Sequence, residues 1–505
     1  MTLTSQDPVE LAKTLLADLT ALQTKMLAEA AASVKDWTPR IHRPEFTASA
    51  ANMADWLALR RADLSSLQQP LSTLGLSTLG RLDAHVGPSV QAVLAVLSRI
   101  AGAPPVAFPS REDFEAGEAV LAARRDELFG AQEPGDPRTR VMVTLPTEAG
   151  TDGGALIASL VEAGMDCLRI NCAHDGPEVW GGMVTYLREI EVKTGRHFPI
   201  SMDLGGPKFR VLEIEAGKKA GGEKHVFLVG DQFALVRDIK HAPKGLFSAT
   251  LSHKALVEAL EPGAEVSIDD GKIWAKVDHI TDGAAVLTVT RVPEKGGKIK
   301  PEKGVNLPGS NLRVDALTPD DLKALDFVVG HADVVSFSFV QTVADVQSLI
   351  NAMKDRASPG KKLPAIVLKI ETPMGLRNLP ELILEAGGTL PVGVMIARGD
   401  LAVEIGFDRL SEIQEEILWL CEAAQVPVIW ATQVLEGMVR DGQASRAEVT
   451  DAAMSQRAEC VMLNKGPHAA AAVTFLRDIL SRMDRHQTKK SPRLGPLRVW
   501  RGQEA

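Results

Sequence analysis

From Arg140 onward the chain repeats one alternation eight times: a short apolar run, then in most cases a segment with helical spacing. The runs are RVMVTL, DCLRINCA, PISMDLG, DVVSFSFV, AIVLKIE, VGVMIARGD, VPVIWATQ and CVMLNKG. Segments such as TDGGALIASLVEAG, PEVWGGMVTYLREIEVKTG, TVADVQSLINAMKD and RLSEIQEEILWLCEAAQ lie between them. Apolar strands separated by helices build a parallel sheet buried on both faces. Eight of them predict an α/β fold closed into a (β/α)8 TIM barrel. The barrel is expected over residues 136–210 and 304–485.

One connection breaks the alternation. After the third run, residues 211–303 become all-β. The stretch AEVSIDDGKIWAKVDHITDGAAVLTVTRV alternates apolar and polar residues around Asp-Gly turns at Asp270–Gly271 and Asp282–Gly283, a strong hairpin signal. An insertion there leaves the C-terminal end of strand three, the end where barrel enzymes keep their chemistry. It is expected to act as a lid. Residues 1–135 instead read as helices, beginning DPVELAKTLLADLTALQTKMLAEAA after an Asp-Pro start. The linker GAQEPGDPRTR follows. Residues 486–505 form a basic tail, expected as a solvated strap.

A net charge of −9 argues against a nucleic-acid partner but leaves room for an anionic small substrate at a locally positive site. The four cysteines show no metal-type C-x-x-C spacing and predict no disulfide framework. MTLTSQDPVE has neither a basic start nor an apolar core, so no secretory leader is expected. No run reaches transmembrane length. A cytoplasmic location is the resulting expectation, with no membrane partner.

Charged and polar residues collect at corresponding strand ends. Lys369 and Glu371 interrupt the apolar run AIVLKIE and, at period 2, point the same way. A buried pair of this kind is a poor stabiliser. Arg169 and Asn171 share one face of strand two, strand three gives Asp203, strand six ends at Arg398-Gly399-Asp400, and strand seven carries Thr432. Core packing alone does not gather such groups. Glu371 and Asp400 suit Mg²⁺ or Mn²⁺. Arg169 and Lys369 suit a phosphoryl group. The turn at ARGDLAVEI aims backbone N–H groups at a carboxylate. Together these suggest phosphoryl transfer.

The motifs LKIET, IARGDLAVEIG, WATQVLEGM, SRAEVTDAA, DDGKI and KGVNLPG resemble the pyruvate kinase family, in that family's order. The resemblance covers about residues 138–485 and implies transfer of phosphate from phosphoenolpyruvate to ADP, with Mg²⁺. It assigns Lys369 to the transferring phosphoryl group, Glu371 and Asp400 to the metal, and Arg169 to the substrate phosphate. It sets Thr432 beside the enolate and includes Gly399 and Asp400 in substrate binding. Asn171, His174, Arg210 and Lys303 fall near the nucleotide, and Asp270 is the lid aspartate. A homo-oligomer is expected.

The match also breaks. Of the family's monovalent-cation ligands, Asn171 and Asp203 remain, but Ala173 and Leu204 replace the other two. MDLGGPKFR carries Lys208 where potassium-dependent members have glutamate; members that need no K⁺ typically carry lysine. Lys208 is therefore expected to substitute for K⁺, which is not required. Asn464 replaces a serine of the proton relay, leaving the proton donor open. The chain ends soon after the eighth helix, so the family's C-terminal regulatory domain is expected to be absent. Two other readings compete: a metal-dependent lyase or aldolase acting on a pyruvate enolate, and a degenerate sensor that binds phosphoenolpyruvate or nucleotide.

Overall fold

All eight predicted runs form strands, each buried along most of its length. The computed structural model describes residues 7–215, 225–281, 283–308 and 314–493. The barrel strands are β1 (Arg140–Thr144), β2 (Cys167–Asn171) and β3 (Ile200–Asp203). After the insertion come β11 (Val334–Phe337), β12 (Ala365–Ile370), β13 (Val392–Ala397), β14 (Val428–Ala431) and β15 (Cys460–Leu463). They close in the order β1-β15-β14-β13-β12-β11-β3-β2, all parallel. β12 is buried at all six positions, Lys369 included. Branched apolar residues fill both faces, as a sheet covered by helices requires.

The insertion is a seven-stranded sheet of β4 (Val211–Glu215), β5 (Gln232–Val236), β6 (Ser248–Leu251), β7 (Glu265–Ile268), β8 (Ile273–Thr281), β9 (Ala284–Arg291) and β10 (Val305–Asn306). Two details differ from the all-β reading of residues 211–303. A short helix, Ala255–Glu258, is included. The sheet also takes in β10, beyond residue 303, because Val305 pairs antiparallel with Ile268. The turn between β7 and β8 lies at the predicted place, and Asp269, Asp270 and Gly271 all have positive φ (58°, 53° and 84°). Asp282 lies outside the described residues.

The N-terminal region is helical, with α1 (Pro8–Trp37), α2 (Thr47–Arg60), α3 (Ser65–Thr73), α4 (Val86–Ile100) and α5 (Arg111–Phe129). Asp7 caps α1 by accepting from Val9 N at 3.0 Å, with Pro8 at its first position. The buried residues Ala12, Leu15, Leu19, Met26, Ala30 and Trp37 make one stripe along α1. The region's buried apolar residues merge with those of the barrel: most join one large cluster with the barrel, and Leu128 and Phe129 of α5 join strand residues in another. Phe46 lies against Gly387, where an added Cβ would meet its ring at 2.7 Å. Arg40 pairs with Glu381 at 2.5 Å and Glu385 at 3.0 Å, both on the barrel helix Leu379–Thr389.

Arg124 of α5 makes a further clamp. Its guanidinium donates to Ala424 O (3.2 Å), Gln425 O (2.9 Å), Ser49 Oγ (3.0 Å) and Glu45 O (3.0 Å). Burial brings its pKa down to about 10, so it stays charged at neutral pH. It satisfies carbonyls at the C-terminal end of the helix Leu410–Ala423. Arg124→Met should cost about 2–4 kcal/mol, because the buried carbonyls lose their donor. Urea denaturation checks this; an unchanged midpoint contradicts it.

Residues 486–493 depart from the solvated strap expected of the tail. Gln487–Thr488 (β16) and Ser491–Pro492 (β17) pair as a hairpin. Lys489 is buried at its tip, 2.7 Å from Glu459. A desolvated carboxylate at the barrel base supplies the partner that an exposed strap would lack.

Candidate active site

The strand ends bring the predicted residues into two linked charge networks. In the first, Arg169 Nη2 donates to Asp203 Oδ2 at 2.8 Å and Nη1 donates to Thr144 Oγ1 at 2.8 Å. Lys369 Nζ lies 3.5 Å from Asp203 Oδ2 and 3.3 Å from Glu371 Oε1, and donates to Ser338 Oγ at 2.6 Å. Arg169, Asp203, Lys369 and Glu371 are all buried. Two polar atoms in this network, Arg169 Nε and Asp203 Oδ1, have no hydrogen-bond partner among the described residues. Buried orphans of this kind mark a place for another polar group.

The two carboxylates respond differently to burial. Burial pushes Asp203 up, but Arg169 and Lys369 outweigh it and hold the carboxyl below the usual range. Burial also pushes Glu371 up, and Asp400 adds to it. Lys369 and the Phe339 N–H at 2.5 Å oppose the rise, yet the carboxyl remains above its ordinary value. Phe339 adopts φ 55°, a costly conformation for a bulky residue, and its N–H donates to Glu371.

In the second network Lys208 Nζ lies 2.9 Å from Asp400 Oδ1 and 3.2 Å from Oδ2. It also lies 3.6 Å from Asp270 Oδ1 on the lid. Burial alone would lower the Lys208 pKa; Asp400 and Asp270 outweigh it and keep the ammonium charged. Gly304 permits this packing, since a Cβ there would meet Lys208 Cε at 3.0 Å. Lys208 thus ties the lid turn to the end of β13.

The helix Arg398–Ile405 begins where β13 ends. Thr432 Oγ1 accepts from Gly399 N at 2.8 Å. Arg398 turns away from the mouth: its guanidinium engages Asp451, Ala431 O and Thr432 O, and stacks over Trp430.

The residues expected near nucleotide are more scattered. Lys303 pairs with Asp269 at 2.9 Å. Arg210 donates to Glu302 O at 2.9 Å, and its backbone bridges to Gly304 at the lid junction. Asn171 uses its Oδ1 on Ala173 N at 3.1 Å. His174 is held below the usual imidazole range by burial, then by the positive charge of Lys465 and Arg210. Lys465 and Ser338 were not singled out from sequence. Ser338 was within reach: Ser336 and Ser338 interrupt one face of SFSFV at period 2.

No cluster of three or more His, Cys, Asp or Glu able to hold a metal occurs among the described residues. Asp400 lies close enough to Glu371 for its charge to add to the rise of the Glu371 carboxyl. Such a pair fits a hard divalent ion that keeps waters and shares substrate oxygens, rather than one held in an all-protein cage.

A parallel barrel with a buried cationic and carboxylate mouth, to which Lys208 ties the inserted sheet, has the architecture of a barrel enzyme. Comparison with known proteins gives the family. The model of the pyruvate kinase barrel domain matches residues 137–473. A pyruvate kinase of Methylorubrum extorquens is 34% identical over 351 residues, covering 69% of this chain and 67% of its own. Those of Mycobacterium intracellulare and Mycobacterium tuberculosis are each 30% identical, covering 72% of this chain and 74% of their own. The chain belongs to the pyruvate kinase family and is an enzyme of that type. The lyase and sensor alternatives are not favoured. Among the described residues no helix is long and apolar enough to cross a membrane.

Proposed function

We propose that this chain transfers the phosphoryl group of phosphoenolpyruvate to ADP, giving pyruvate and ATP without a K⁺ requirement. The supporting observation is the buried Arg169–Asp203–Lys369–Glu371 network with its two unsatisfied polar atoms. Arg169 and Lys369 hold the phosphoryl oxygens, and the Lys369 ammonium meets the charge that grows on them. The helix start orients the substrate carboxylate, Asp400 through its N–H and Gly399 by holding the Thr432 hydroxyl beside it. Thr432 stands beside the enolate carbon. Glu371 and Asp400 would hold Mg²⁺ or Mn²⁺, which supplies charge neutralisation to the phosphoryl oxygens. His174, Arg210, Lys303 and Asn171 are assigned to the nucleotide, with Asp270 brought over by the lid.

Glu371→Gln and Asp400→Asn should each raise the Mg²⁺ concentration needed for half-maximal activity about tenfold or more, since each removes an anionic oxygen. Kinetics as a function of Mg²⁺ test this. Unchanged Mg²⁺ dependence in both variants would move the metal site elsewhere.

A further inference from the structure

A cavity of about 610 Å³ lies at the opposite end of the barrel from the mouth. Its walls come from three distant parts of the chain: α5 and the turn before α4, the residues leading into β1 and β15, and the β16–β17 hairpin. That volume suits a small molecule. Nothing in the catalytic site uses it.

The lining is unevenly charged. Arg125 is paired with Asp126 at 2.7 Å, Lys489 with Glu459 at 2.7 Å, and Lys490 with Asp83. Arg81, Arg138 and Arg493, in contrast, make no ion pair among the described residues. Arg138 spends one nitrogen on Gln456 O (3.1 Å) and Arg493 one on Asp484 O (2.8 Å); Arg81 makes no side-chain hydrogen bond among the described residues. The remaining acids are Glu118, which is exposed, and Glu422. Burial, the largest influence, holds the Glu422 carboxyl above its usual range, against the pull of Lys489 and Lys490. Beside the cations stands an apolar wall of Leu121 and Phe114, the latter edge-on to His85 at 5.0 Å.

Arg81 and Arg493 stand exposed at the rim of the cavity and Arg138 is half-buried, so three guanidinium groups without carboxylate partners bring net positive charge to one concave surface, which favours an anion there. The guanidinium fork matches phosphate oxygens two at a time. We propose that this cavity binds a small organic phosphate, its phosphate held by Arg81, Arg138 and Arg493 and its carbon body against Phe114 and Leu121. The site is fixed by the docking of the N-terminal helices on the barrel base.

Calorimetric titration of the full chain with glycerol 3-phosphate, and separately with inorganic phosphate, tests this. The wild type should show a saturable site that Lys369→Met retains. Tighter binding of glycerol 3-phosphate than of inorganic phosphate is expected from the apolar wall. The double variant Arg81→Ser/Arg493→Ser should weaken binding at least about tenfold, the loss of two charge-assisted contacts. Ala122→Phe, which fills the cavity and keeps all three arginines, should weaken it as much. Circular dichroism verifies that each variant is folded, and Ala122→Phe decides alone if the double variant is not. No saturable heat at millimolar probe, or affinity within threefold of wild type in a folded variant, overturns the proposal. So does loss of the site in Lys369→Met.

Discussion

Lys369→Met lowers kcat by about 10²–10³-fold or more while the far-ultraviolet circular dichroism stays that of the wild type. The size follows from where the ammonium sits. It is buried between Asp203 and Glu371 and bonded to Ser338, so its field reaches the mouth with little screening by water. Charge that develops in the transition state meets a donor already oriented and already desolvated, and the loss therefore falls mainly on kcat. The fold survives because Asp203 keeps Arg169 at 2.8 Å. Glu371 keeps the Phe339 N–H. A folded variant that turns over within a few-fold of wild type would remove Lys369 from its proposed role.

Full activity in K⁺-free sodium or tetramethylammonium buffer is the second large expectation, paired with a loss of about 10²-fold or more in Lys208→Glu. The ammonium of Lys208 is a fixed cation held by Asp400 and Asp270. In the proposed function it supplies positive charge beside the site without an exchangeable ion. Glutamate there would add a third carboxylate to that pair, with Glu371 close by. Potassium should not rescue the variant, since Ala173 and Leu204 offer no side-chain oxygen. Strong K⁺ activation of the wild type, or an unimpaired Lys208→Glu enzyme, would contradict this.

The barrel was legible because each strand is a dense apolar run, and burial on both faces demands that pattern. Lys369 and Glu371 stood out because they violate it. The chemical partners that orient them were harder to read. The contact between Phe339 N and Glu371 depends on a positive φ that nothing in the letter Phe announces. The attachment of Lys208 to Asp400 joins residues 192 positions apart; sequence marked both residues but not the bond. Arg398 illustrates the converse, a cation at a strand end that turns outward to Asp451. The N-terminal helices were visible through their periodicity, yet their merger with the barrel core was not. That merger depends on shape, as where Phe46 fills the space left by Gly387. Lys489 was read as solvated because charge in a tail usually is; the buried Glu459 that holds it lies 30 residues earlier on another element.

The most direct measurement is pyruvate formation from phosphoenolpyruvate by the purified chain, with Mg²⁺ in K⁺-free buffer, followed with and without ADP. The account predicts turnover that requires ADP and yields one ATP for each pyruvate. Pyruvate released equally without ADP, or binding of phosphoenolpyruvate with no turnover under any divalent metal, would contradict it.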